Sequence, residues 1–177
     1  QYRFVRLSVS ECSEIGSEVA PFAVQLNEFK VFNYQNTTDE FPSYSAVAHT
    51  YRASTDFAST QGNEHWSYMR QGDLNIGQSY FWSPLSYNTQ MNAWGKSGLY
   101  NYVGNNWMHP DENFQTARIW KVPADGIIHI TGRISKKDTA GGNGVRAKIL
   151  RDREQIWPLD SEWMTISYND AVGVNVD

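Results

Sequence analysis

The stretch from His109 to Trp157 constrains the fold most, because apolar residues recur there at every second position between clusters of turn residues. A first segment, Thr116 to Val122, is closed by Pro123-Ala124-Asp125-Gly126. In the second, Ile127 to Ile134, Ile128, Ile130 and Ile134 fall on one side, and His129, Thr131 and Arg133 on the other. The third, Val145 to Leu150, sets Val145, Ala147 and Ile149 opposite Arg146 and Lys148. Successive side chains of a strand point to opposite faces, so this alternation predicts three strands of antiparallel sheet with one buried face. Gly141, Gly142 and Gly144 suit a hairpin turn with φ > 0, where a Cβ is costly. His129 falls on the exposed side and reads as a surface residue.

The N-terminal residues 1–34 read as a strand pair. Val5, Leu7 and Val9 share a face in the first strand, and the second runs from Val24 to Phe32. Alternation in the second slips between Leu26 and Phe29, as a β-bulge would make it do. Residues 35–45 are polar, contain Pro42 and read as a linker or loop. Asn36-Thr37-Thr38 is an N-glycosylation sequon, relevant only to a eukaryotic secretory protein. A strand from Ala46 to Tyr51 then opens a β-sandwich covering 46–177.

Aromatic residues make up 14% of the chain, with 7 Trp and 10 Tyr, against 19% charged residues. Most of the Trp lie between Asp56 and His109, interleaved with Tyr, Asn and Gly and with little clean periodicity. Loops of that composition suit ligand binding, since aromatic faces supply area at small entropic cost and amides supply paired donors and acceptors. The ligand-binding candidates are therefore Trp66, Tyr68, Trp82, Trp94, Tyr102 and Trp107, with Asn106 and His109 as polar partners. The competing reading for each ring is core filling, and Trp120 and Trp157, inside regular strand patterns, are assigned to core or edge packing.

Several chemistries are excluded. A net charge of −4 without a Lys/Arg run argues against nucleic acid. Cys12 is the single cysteine, so neither an intrachain disulfide nor a thiolate metal cluster can form. No apolar run approaches the ~20 residues that span a bilayer. The absence of a signal peptide reads as a mature piece or an excised module. Glu64-His65 and His109-Pro110-Asp111-Glu112 lack zincin spacing. The second could offer oxygen ligands to a structural Ca²⁺, against the simpler reading that Asp111 or Glu112 caps a turn. Asp152, Glu154, Asp160 and Glu162 cluster late, but nothing sets two of them across a cleft as glycoside cleavage requires. Gly141-Gly142-Asn143-Gly144 lacks the Lys-Ser/Thr of a phosphate loop. No cofactor and no enzymatic activity is expected.

Two resemblances add to this. The segments YRFVRLSVSE and VQLNEFKVF resemble the closing strand pair of discoidin-like (F5/8 type C) domains, over some 30 residues; the alternative is that they add strands to the sandwich. From Asp56 to Trp157, the ordered motifs DF-ST-QG-N-W-Y, a Trp-rich middle, then HP, AR-W-VPADG-I-I-G-I, GG-GV-A-IL and IW resemble a carbohydrate-binding-type jelly-roll module of bacterial extracellular polysaccharide-degrading proteins. Met69-Arg70 departs from that pattern after Trp66-x-Tyr68, and the closing strands of such modules are missing after Val172–Val176. The expected fold is thus an all-β antiparallel sandwich of the jelly-roll type. Its last strand is covered by the N-terminal pair or by another chain, because an open edge invites association. The resemblance implies a non-catalytic, secreted or cell-surface polysaccharide-binding module of a larger protein. The alternative is an assembly subunit that self-associates through an open sheet edge.

Overall fold

The structure, a computed structural model, describes residues 4–11, 24–34, 49–71, 82–95, 98, 100–111, 114–124, 127–139 and 143–176. Its strands, numbered in chain order, form two antiparallel sheets. The first runs β13 (Glu154–Trp157), β12 (Val145–Arg151), β1 (Phe4–Glu11), β10 (Thr116–Lys121), β4 (Trp66–Gln71), β5 (Trp82–Pro84), with β14 (Met164–Ile166) also on β12. The second runs β15 (Val174–Val176), β11 (Ile127–Lys136), β2 (Val24–Tyr34), β9 (Trp107–His109), β8 (Tyr102–Val103), β7 (Ala93–Gly95), β6 (Tyr87–Asn88), with β3 (His49–Arg52) also on β2.

The core fills the space between these sheets. Val5, Leu7, Val9, Trp66, Trp120, Val145, Ala147 and Ile149 from the first sheet meet Tyr51, Trp94, Val103, Met108, Ile134 and Val176 from the second. The alternation read from the sequence is the cause: every second residue of β1, β10 and β12 faces inward. Each fully buried large side chain removes apolar surface from water at about 25 cal/mol per Å². The chain is an antiparallel β-sandwich, as its patterning predicts.

The N-terminal strands do not form a pair. β1 lies between β12 and β10, with Leu7 opposite both Ile149 and Arg118, while β2 lies between β11 and β9 in the other sheet. Nor do they cover the last strand, for β15 pairs with β11 through Gly132↔Val176 and Ile134↔Val174. The bulge is where the broken alternation puts it. Gly132 faces Phe29 and Ile134 faces Leu26, so one intervening residue of β11 meets two of β2.

The hairpin reading of the glycine cluster is overturned. β11 belongs to the second sheet and β12 to the first, so the connection crosses between layers. β10 and β11 are divided between the sheets in the same way. Gly141 and Gly142 lie outside the described residues, as does Asn36. Gly144 does have φ 98°, and a Cβ there would stand 2.5 Å from the Ile166 carbonyl oxygen.

Candidate functional site

The sheet scaffold swallows most of the expected binding rings. Trp66 and Tyr68 are 1% exposed, Trp94 4%, Tyr102 8% and His109 6%. The expectation that these project as binding loops is corrected, since they sit on short strands whose inward positions face the opposite sheet. Trp66 and Tyr68 alternate inward on β4, opposite Trp120 and Arg118. Tyr68 stacks on Trp94 at 5.2 Å, and the Trp94 indole N–H donates to the Ala58 carbonyl at 2.9 Å. Trp120 is fully buried and Trp157 half-buried, in line with their packing assignment.

A buried arginine organises this interior. Arg118 on β10 is 0% exposed and points between the sheets, beneath the rings of Phe57 and Tyr68. Its Nη1 donates to the Ala53 carbonyl, and its Nη2 to the carbonyls of Gly104 and Asn105, the latter at 2.7 Å. One guanidinium thus ties two loops to a central strand. Desolvation pulls its pKa down to about 10, which leaves it charged at neutral pH.

Four of the expected residues do gather, on the β8–β9 hairpin. Tyr102 is opposite His109 in register, and the Tyr102 and Trp107 rings stand 6.5 Å apart. Half-buried Trp107 lies over Gly104, where a Cβ would come within 2.1 Å of the indole, and Lys137 Nζ sits 4.8 Å from its centroid. Asn106 is half-buried beside it in the turn, its backbone N–H donating to the Asn105 side chain at 2.8 Å. His109 is sealed beneath exposed Tyr100, ring to ring at 5.5 Å, with Nδ1 2.6 Å from the Pro110 carbonyl. A carbonyl only accepts, so Nδ1 carries the hydrogen. Burial lowers the His109 pKa.

Asp111 behaves as a turn residue. Its backbone bridges to Phe114, and its carboxylate accepts from the Tyr100 N–H at 3.3 Å. Among the described residues no group of three or more His, Cys, Asp or Glu could hold a metal ion. Asp152, Glu154, Asp160 and Glu162 are all exposed, in or after the β12–β13 turn. His129 is exposed, as expected.

The remaining expected ring, Trp82, marks a surface that the sequence reading did not assemble. Directly opposed residues share a sheet face. Across the outer face of the first sheet, Pro84, Met69, Ala117, Ser8 and Lys148 therefore form one row, and Ser67, Ile119, Arg6 and Leu150 the next. Arg6 and Trp82 stand on strands three intervals apart, about 14 Å at the usual spacing. Yet the Arg6 guanidinium carbon lies 4.6 Å from the Trp82 centroid. The two side chains therefore reach toward each other across the face, on which Ser8 and Ala117 are fully buried.

The opposite end of the face is built alike. Trp163, just before β14, has Lys148 Nζ 3.9 Å and the Arg146 guanidinium 5.5 Å from its ring. Glu162, 80% exposed, lies 3.7 Å from Lys148 Nζ. Burial lowers the Lys148 pKa; Glu162 opposes that shift, while Arg6 and Arg146 add to it as nearby like charges. Burial also lowers the pKa of Arg6, whose Nε is buried and makes no hydrogen bond. The result is a face whose floor mixes small and polar residues (Ser8, Ala117, Ser67) with apolar ones (Met69, Ile119, Leu150), and which has a cation–tryptophan pair toward each end.

Compared with family models, curated proteins and solved structures, the chain matches none.

Proposed function

We propose that this chain is a non-catalytic, polysaccharide-binding β-sandwich of the jelly-roll type, a module of a larger secreted or cell-surface protein. The observation that supports this reading is the outer face of the first sheet, where half-buried Trp82 and Trp163 stand toward opposite ends, each with a basic side chain over its ring. A sheet face with rings toward its ends suits an extended chain of sugars, whose C–H faces pack on aromatic surface by dispersion and apolar burial. The module holds its partner domains near an insoluble or polymeric substrate by raising their effective concentration there. Binding is tested by calorimetry and affinity electrophoresis against a panel of polysaccharides. Trp82→Ala and Trp163→Ala should each weaken binding roughly tenfold, or about 1.4 kcal/mol. Unchanged affinity in both variants overturns this site, and the absence of binding to every polysaccharide overturns the function.

Assembly through an open sheet edge has less support. Among the described residues the strands at the sheet ends and off the main path are short: β5, β14 and β15 have three residues each, β6 two, and β3 and β13 four. Edges that short discourage edge-to-edge pairing.

A further inference from the structure

We infer that the ligand of this face is an anionic polysaccharide, bearing carboxylate or sulfate groups, held by Arg6, Arg146 and Lys148 between Trp82 and Trp163. This deepens the polysaccharide-binding reading and rests on it. The chain as a whole is acidic, with 15 Lys and Arg against 19 Asp and Glu. Three cations nevertheless converge on one face of one sheet.

The convergence follows from topology. β1 inserts between β10 and β12, which brings Ser8 opposite Lys148 and Ser10 opposite Arg146, with Arg6 in the adjacent row. Charge this concentrated and half-buried is costly unless an anion completes it. Glu162 meets part of that need at Lys148, but it is largely exposed and 3.7 Å away. Among the described residues Arg6 has no carboxylate partner, and its Nε is buried without a hydrogen-bond acceptor. It stands instead against the Trp82 ring.

A guanidinium laid on an indole is oriented, with its edge left for an acceptor, and a planar fork suits the paired oxygens of a carboxylate or sulfate. From Trp82 on β5 to Trp163 beside β14 is five strand intervals, about 24 Å. That span offers anchor points to repeating anionic groups on one chain rather than to a single small ion. Neutral sugars would meet the rings but bring no anion to the Arg6 guanidinium, which has no carboxylate partner among the described residues.

The test measures binding of the intact chain to pectate and alginate (carboxylates), chondroitin sulfate (sulfate and carboxylate), carrageenan (sulfate alone), neutral xylan and dextran, and polyglutamate, a polyanion without sugars. The expected result is binding to at least one acidic polysaccharide, at least tenfold tighter than to either neutral one. Preference between pectate and carrageenan tells carboxylate from sulfate recognition. Arg6→Gln and Lys148→Gln should each reduce that affinity at least fivefold, with melting temperature reporting whether they fold. For wild type, raising the salt from 50 to 500 mM should weaken binding to acidic glycans and leave any neutral binding unchanged.

If xylan or dextran binds as well as the acidic chains and the Gln variants change nothing, the anionic inference fails while the polysaccharide reading stands. If polyglutamate binds as tightly as pectate or carrageenan, the face is a general anion exchanger and the inference is overturned. If nothing binds, both fail together.

Discussion

Replacing Arg118 with methionine probes the least expected feature of the interior. The substitution keeps a long flexible stem in the fully buried site but removes donors to the carbonyls of Ala53, Gly104 and Asn105. Hydrogen bonds to a charged group contribute about 1.5–3 kcal/mol each, and a buried acceptor left unpaired costs about 1–3. Against this, methionine relieves the desolvation of a guanidinium, an effect worth several kcal/mol. Where both members of a buried ion pair are replaced by apolar residues, that relief can win. Here the acceptors are backbone and cannot be removed, so the balance falls the other way.

The expected net loss for Arg118→Met is about 3–5 kcal/mol. That is about a fifth or more of the stability of an ordinary domain, about 5–15 kcal/mol. Urea unfolding followed by tryptophan fluorescence measures it, since Trp66, Trp94 and Trp120 are all buried in the core that Arg118 enters. A second effect separates mechanism from simple disruption. Hydrogen exchange should accelerate in the 53–58 and 104–106 loops more than in β1, because the guanidinium ties those loops to β10. A variant as stable as wild type, or one whose loops exchange no faster, would refute the clamp.

Other perturbations follow from the same geometry. Trp94→Ala should cost about 3–5 kcal/mol by emptying the stack on Tyr68, while its folded fraction retains glycan affinity in a pull-down. His109 is buried and its pKa lies below the ordinary 6.5. Below about pH 6.5 the unfolded chain takes up a proton that the folded one refuses, so stability falls as pH drops, levelling off once the folded imidazole also titrates. His109→Gln should flatten the fall of the denaturation midpoint just below about pH 6.5; an unaltered slope assigns the acid sensitivity elsewhere. Gly144→Ala should destabilise by about 2 kcal/mol, because φ 98° and the nearby Ile166 carbonyl both oppose a Cβ. A chemical denaturation curve reads that loss directly.

Sequence patterning disclosed the strands and not their partners. Val145, Ala147 and Ile149 announce which side of β12 is buried, and the slip between Leu26 and Phe29 locates a bulge that the register confirms. Alternation carries no information on which sheet a strand joins, so three consecutive strands read as neighbours are divided between two layers. The same gap hid the site. Arg146 and Lys148 were legible as an outward pair on β12, but β1 lies more than a hundred residues upstream in sequence and only pairing brings Arg6 beside them. Trp163 gave no local signal at all, being a single ring in an exposed loop. Trp66, Tyr68 and Trp94 misled for the converse reason, since short strands between irregular segments show too few positions for a period of two to emerge.

The measurement that bears most directly on the account is amide and indole shift mapping of the labelled chain, titrated with oligosaccharides of the tightest-binding acidic polysaccharide. Perturbations are expected along β1, β4, β5 and β12 and at the Trp82 and Trp163 indoles, with the β8–β9 hairpin unmoved. Shifts confined to Trp107, Tyr100 and their hairpin, with the outer face of the first sheet silent, would contradict it.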